Sequence, residues 1–584
     1  MQLANRITFN HLRGDLFGGI TAAIVALPMA LAFGVASGAG AIAGLYGAAI
    51  LGFFAALFGG TPTLISGPTG PMTVVMTAIV LNMTAKNPEN GLAMAFTVVM
   101  LAGVFQILFG ILKLGKFITL MPYTVISGFM SGIGVIMIVL QIGPFLGQAN
   151  PKGGIVGVIS AIPTFTQNLD PVETALATLT LAILFLTPKK IRRLVPPQLL
   201  ALVIGTVIAA VFLKDFDLRL IGAIPTGLPT PQLPVFTLDQ MTIMLVDGVM
   251  LGMLGCIDSL LTSVIADSIT RTQHDSDKEL VGQGIGNLLS GIFGALPGAG
   301  ATMGTVVNIQ AGGRTVLSGM LHAVVLLVLV LGASGLTQFI PQAVLAGILV
   351  KVGIDIVDWN FLKRAHKVSW KAAAIMYGVL LLTVFVDLIV AVGVGVFIAN
   401  ILTIQSLADI QSDKVKAITH ADDQIPLSYE EKLLLKEAKG SVLILHLGGP
   451  MSFGAAKAIS QRQAIMDEYN ILILDVNDVP KLGVTATLAI EKMIEDATHK
   501  KVEVFIVSSG EKVKTRLERF NILDRVPENN LVSTRLEALE KAVMYVKGEV
   551  GVGAESNAYS QAEEKDFLSE DQSAVDSTLT KKTL

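Results

Sequence analysis

Asp258 stands where carboxylates are rarely tolerated, in the run Leu251-Gly-Met-Leu-Gly-Cys-Ile-Asp-Ser-Leu-Leu-Thr262, mid-way along the apolar stretch 241–266. No Lys or Arg lies in that stretch to pair with it. Thr262 follows by four residues, so on a helix its hydroxyl shares a face with the carboxylate. An acidic group in such surroundings marks a functional site by default. A carboxylate, a hydroxyl and carbonyls from the nearby Gly300 region are the oxygen donors that suit a small hard cation. The alternative is a protonated Asp258 bonded across to another helix.

Two other segments point to an anion. Ser66-Gly-Pro-Thr-Gly-Pro71 and Pro297-Gly-Ala-Gly-Ala-Thr302 are dense in helix-breaking residues. Each follows an apolar stretch and precedes a short one, so a helix must begin within an apolar medium. Its first N–H groups lack intrahelical partners and sit at the positive end of the helix dipole. Away from water they must face protein, an aqueous cavity or an anion. Two such ends brought together would hold an anion without any Lys or Arg. The competing explanation, that Gly and Pro only allow close helix packing, does not say why the two breaks fall at equivalent places. Shifted by 232 residues, Gly67–Val75 lies on Ala299–Val307, with Thr-Val-Val coinciding at 73–75 and 305–307, and Asp15 lies on Asp247.

The elements that must position these groups are membrane spans. Hydrophobic residues make up 52% of the 584 and charged residues 15%, against about 25% charged in an ordinary globular chain. In residues 1–400, 36 positions are charged, and in residues 401–584, 51 of 184, so only the second part can cover itself with a wetted surface. Fourteen apolar segments are predicted: 14–34, 40–58, 67–83, 91–111, 122–143, 172–187, 198–213, 241–266, 280–296, 301–313, 314–335, 341–357, 371–390 and 390–404. With a cytoplasmic N-terminus, sixteen basic residues fall inside and four outside, the expected bias. The even count then puts both termini in the cytoplasm. Seven spans per repeat makes the repeat inverted. The first dozen residues are polar with no cleavage pattern, so the first span is expected to be retained.

At Gly59-Gly-Thr-Pro-Thr-Leu-Ile-Ser66, Gly70-Pro-Met-Thr-Val-Val75, Met121-Pro-Tyr-Thr-Val-Ile-Ser-Gly-Phe-Met-Ser-Gly132, Gly252-Met-Leu-Gly-Cys-Ile-Asp258 and Gly298-Ala-Gly-Ala-Thr-Met-Gly-Thr-Val-Val-Asn308 the chain resembles the SulP anion transporter family. The resemblance covers nearly the whole length and is strongest to its cyanobacterial bicarbonate-transporting members. It implies a polytopic α-helical domain over 1–404, built as a 7+7 inverted repeat with core and gate parts, then a cytoplasmic α/β STAS domain over 405–548. It also implies Na⁺ symport of bicarbonate by alternating access across a bacterial plasma membrane. On matching positions, Asp258, Thr262, Gly300 and Thr302 would surround Na⁺, while Thr69, Gly70, Ala301 and Thr302 at the tenth-span helix start would face the anion. Many SulP proteins carry an arginine where this chain has Gly304. Without that charge, the helix ends supply about half a charge each, and Na⁺ at Asp258 would supply the rest. A sulfate or other anion carrier, possibly coupled to protons through Asp258, and an anion channel are the other readings of the same features.

Beyond residue 405, Val442–Leu447, Ile471–Asp475 and Val502–Val507 read as buried strands, and Ala455–Glu468 and Val484–Ala497 as helices. Asp475-Val-Asn-Asp-Val-Pro-Lys-Leu-Gly-Val-Thr485 resembles the STAS signature, which implies a phosphorylatable hydroxyl at Thr485, although Gly483 and Asn477 depart from the pattern. Homodimerisation through this domain is the simpler expectation. Residues 549–584, rich in Ser, Glu and Asp, read as a disordered acidic tail. A net charge of −3 and the lack of a basic run exclude a nucleic-acid partner. Scattered histidines, a single cysteine and the lack of a P-loop argue against an enzyme, an organic cofactor or direct ATP drive.

Overall fold

The computed structural model describes residues 4–118, 122–151, 153–192, 195–222, 227–386, 388–419, 427–463, 468–508 and 510–548. The expected tail at 549–584 lies outside these residues. The chain divides into two compact units at the Asn400/Ile401 junction.

The first unit is helical. Among the described residues, six helices are long and apolar enough to cross a bilayer: Leu12–Ala36, Ala41–Phe58, Gly91–Ile111, Tyr123–Leu140, Leu238–Thr270 and Val390–Ser412. Further helices stand at most of the remaining expected segments, including Pro171–Leu186, Pro197–Phe212, Ser276–Ile292, Val316–Thr337, Gln342–Ile356 and Trp370–Phe385. One helix, Gly154–Gln167, falls where no span was predicted and meets Pro171–Leu186 at 115°. The bend has a local cause. Asp170 caps the second helix by accepting the Val172 and Glu173 N–H groups, and Pro171 fixes its first turn.

The helices pack as two groups. In one, Gly91–Ile111 lies against Ser276–Ile292 and Leu238–Thr270, and Ala41–Phe58 against Ser276–Ile292 and Val316–Thr337. The backbones of Gly91–Ile111 and Ser276–Ile292 approach so closely that a Cβ on Gly103 would sit 2.4 Å from the Leu288 nitrogen, the close contact that small residues allow in membranes. In the other group, Tyr123–Leu140 packs on Trp370–Phe385 and Gln342–Ile356, and Pro171–Leu186 on Gln342–Ile356 and Pro197–Phe212.

Both helix breaks become two-residue strands, β1 (Ser66–Gly67) and β2 (Ala299–Gly300), paired antiparallel with Ser66 opposite Gly300 and Gly67 opposite Ala299. Gly67 and Ala299 are also equivalents under the 232-residue offset. A residue that pairs with its own repeat-mate flanks a local two-fold axis passing between them, so this register is that of an inverted repeat centred on the strand pair.

The second unit is a five-stranded sheet in the order β3 (Val415–Ile418), β4 (Val442–Gly448), β5 (Ile471–Asp478), β6 (Glu503–Val507), β7 (Leu531–Val532). β3 is antiparallel to β4, and the remaining pairs are parallel. Helices Phe453–Gln463 and Val484–His499 help bury one face and Tyr429–Glu437 and Arg535–Val546 the other. The three predicted strands are present. The helix predicted over 455–468 is described over Phe453–Gln463, and 464–467 lie outside the described residues.

Candidate ion-binding site

The site is assembled where the strand pair hands over to the two helices that follow it, Gly70–Lys86 and Thr302–Gln310. Thr69 and Ala301 are the residues immediately before them, both extended, and neither helix carries a side-chain cap. Their first N–H groups are therefore available to a ligand by the ordinary geometry of a helix start. A chain of buried polar side chains fixes the loops that deliver them. Asn287 accepts from the Gly298 N–H and donates to its carbonyl, both at 2.9 Å. Ser259 accepts from the Gly300 N–H at 3.0 Å, and the Ala301 N–H reaches the Ile65 carbonyl at 2.7 Å. Thr305 accepts from the Ile65 N–H at 3.0 Å. The backbone groups of Ile65, Gly298, Gly300 and Ala301 are thereby paired, as a low-dielectric interior requires.

Asp258 is 8% exposed on helix Leu238–Thr270, and its Oδ2 accepts a 2.7 Å hydrogen bond from the Thr69 hydroxyl. One turn on, the buried Thr262 hydroxyl donates to the Gly300 carbonyl at 2.9 Å and lies 2.8 Å from the Thr302 hydroxyl, which is exposed. Thr262, Gly300 and Thr302 therefore form one oxygen cluster, and Asp258 lies one helical turn away from it. Thr69, read from the sequence as facing an anion, is tied to the carboxylate instead, so the two candidate ion groups share a hydrogen bond. Gly70 lies under the second helix group: a Cβ there would meet Ile356 Cδ1 at 2.4 Å and Met137 Cε at 3.2 Å. Ala301 is partly buried and Gly304 buried.

Asp267, further along the same helix, accepts from the His274 backbone N–H at 3.0 Å and lies 2.7 Å from His274 Nδ1, a structural cap on the helix end. Sequence reasoning missed Ser259, Asn287 and Thr305. Asn287 carried a usable signal, being an amide within a span, where a polar side chain needs a partner. Ser259 and Thr305 gave none, since Ser and Thr are common in membrane helices.

In the second unit, Thr485 is exposed on the second residue of helix Val484–His499. Beside the loop that precedes this helix, Arg535 bridges Glu431 at 2.8 Å and Asp475 at 3.3 Å, while His446 Nδ1 lies 2.9 Å from Asp475. Burial pushes the Glu431 carboxyl up. Hydrogen bonds from Arg535 and Ser428, with the guanidinium charge, outweigh it and hold the group below its ordinary value.

An inverted repeat crossed at its axis by two broken helices is an architecture found among membrane transporters. Residues 12–379 match the Sulfate permease family and residues 434–538 the STAS domain. The chain is 61% identical over 544 residues to the bicarbonate transporter BicA of Synechocystis, covering 93% of this chain and 96% of that protein. The solved transmembrane domain of a cyanobacterial BicA aligns with 66% identity and a TM-score of 0.65, over 67% of this chain and all of that domain. SLC26A9 shares the fold at 18% identity and a TM-score of 0.78, over 93% of this chain and 92% of that one. The chain belongs to the sulfate permease family and is a multi-pass membrane transporter with a C-terminal STAS domain, not an enzyme.

Proposed function

We propose that this protein imports bicarbonate with Na⁺ across a bacterial plasma membrane, both termini being cytoplasmic, and that its second unit pairs two copies into a dimer. The anion sits between the starts of helices Gly70–Lys86 and Thr302–Gln310, and Na⁺ is held by Asp258, Thr262, the Gly300 carbonyl and Thr302. The substrate reading leans on the BicA relative. Coupling leans on one observation, the 2.7 Å hydrogen bond from Thr69 to Asp258.

That bond joins the cation carboxylate to the residue that opens the anion-binding helix. With Na⁺ absent, Asp258 is an unneutralised negative charge beside the anion site and occupies the Thr69 hydroxyl. When Na⁺ binds, its charge cancels the repulsion, and the hydroxyl is free to rotate and donate to bicarbonate. Each ion then raises the other's affinity by one shared factor, as linkage demands. With Gly304 in place of a basic residue, the helix ends and the bound Na⁺ provide all the positive potential. Ile356 and Met137, which cover Gly70, belong to the second helix group. Movement of that group against the first would open the site alternately to each side. Thr485, exposed at a helix start, would accept phosphate next to positive N–H groups.

Uptake of radiolabelled bicarbonate into liposomes, with and without an inward Na⁺ gradient and with sulfate in parallel, tests this reading. Na⁺-dependent bicarbonate uptake is expected. Sulfate uptake indifferent to Na⁺ overturns both the substrate and the coupling.

A further inference from the structure

The 232-residue offset relates the cation-site residues Asp258 and Thr262 to Ala26 and Ala30. The two-fold partner of the cation site is therefore apolar on its own helix, yet the place is not filled. A cavity of about 20 Å³ lies there, lined by Ala26, Ala30, Gly67, Pro68, Ala301 and Gly304 among others. Only two of its lining residues have polar side chains, Ser66 and His322. The Ser66 hydroxyl already accepts from Gln283 at 2.6 Å. His322, on helix Val316–Thr337, is 1% exposed, and neither ring nitrogen has a hydrogen-bond partner among the described residues. An imidazole buried with both nitrogens unpaired costs stability that a passive packing role would not recover.

The cavity borders Pro68 and Ala301, just ahead of the two helix starts, and its volume admits a single water-sized oxygen. Helix N-termini offer only donors. Hydrogencarbonate differs from acceptor-only anions such as nitrate in carrying one O–H, which must find an acceptor when it leaves water. A neutral imidazole has one nitrogen that accepts and one that donates.

We propose that His322 is a specificity residue: its accepting nitrogen accepts a hydrogen bond from the hydroxyl of a hydrogencarbonate seated between the two helix starts, with that oxygen in the cavity. This deepens the bicarbonate reading and rests on it. The carboxylate end of the anion faces the N–H groups, and its hydroxyl end faces His322. Nitrate, of similar size and shape, gains nothing from the imidazole.

The test uses the full-length protein in liposomes. The half-saturation concentration for bicarbonate uptake and the inhibition constant for nitrate are measured in wild type, His322→Phe, His322→Met and His322→Gln. Loss of one hydrogen bond corresponds to roughly tenfold in affinity. His322→Phe, or the more pliable His322→Met should Phe fail to fold, is expected to weaken bicarbonate about tenfold with nitrate unchanged. His322→Gln, which retains an acceptor oxygen, is expected to recover most of that loss. Equal weakening of both anions, or of neither, overturns the role of His322 and leaves the bicarbonate reading standing. A wild type that takes up no bicarbonate overturns both.

Discussion

In the proposed coupling the Asp258 carboxylate serves two partners in turn, Thr69 and Na⁺, and substitutions can separate them. Asp258→Asn keeps a side chain of the same shape that can still accept from Thr69, so the protein is expected to fold and insert normally. Na⁺-dependent uptake should fall to background; full uptake in this variant would remove Asp258 from the cation site. Thr69→Val tests the link rather than the site. It leaves the oxygen cluster at Thr262, Gly300 and Thr302 intact but removes the hydroxyl between the ions. Couplings of this kind are typically worth about 5- to 150-fold, and the Na⁺ effect on bicarbonate affinity should shrink from that range towards none. Isothermal binding with and without Na⁺ would read it. Asp258 was legible in the sequence because an acid in the middle of an apolar run has few structural excuses. Of the side chains that fix the loops around it, Ser259 and Thr305 were not legible, because their partners are backbone groups brought near only by folding. Asn287 clamps Gly298 across eleven residues, whereas Ser259 reaches Gly300 across forty-one.

The two broken helices were readable as elements for the same reason: Gly and Pro at matched offsets leave helix starts with nowhere else to be. Their pairing as β1 and β2 was not, since two-residue strands carry no periodicity. Gly154–Gln167 was missed because its mix of Gly, Thr, Ser and Pro reads as a connection. β3 and β7 escaped because four- and two-residue edge strands are shorter than any pattern that could announce them. Two predictions belong to this scale. Ala301→Trp places a bulky ring at the start of helix Thr302–Gln310 and should abolish anion binding in a direct assay while leaving the thermal transition of the first unit in place. Gly70→Leu drives a branched side chain into Ile356 and Met137. It should hold the two helix groups apart and lower the turnover of uptake more than tenfold, the direction expected of a blocked closure rather than of lost ligands. Unchanged turnover would show that Gly70 is not a contact on which the motion depends.

For the whole chain, the composition break near residue 400 was the plainest signal, since a surface with so few charges can only be covered by lipid. The second unit has its own acid sensitivity. A carboxyl held below its unfolded value contributes stability that is complete above that value and is lost as pH falls through the native one. Glu431, paired with Arg535, is such a group. The second unit should therefore unfold more readily as pH drops below the carboxylate range, and Arg535→Met should weaken it at neutral pH by about 2 kcal/mol through removing the guanidinium that both Glu431 and Asp475 face. Thermal scans at several pH values would check both. Gly67 opposite Ala299 has one more consequence. The inverted repeat makes the inward- and outward-open arrangements near-equivalents, so under the proposed coupling only electrochemical gradients set the sign of net flux. Loaded vesicles given an outward Na⁺ gradient should export their contents through the same molecules that otherwise fill them. A cell relying on such a device must keep its internal Na⁺ low to retain what it has gathered.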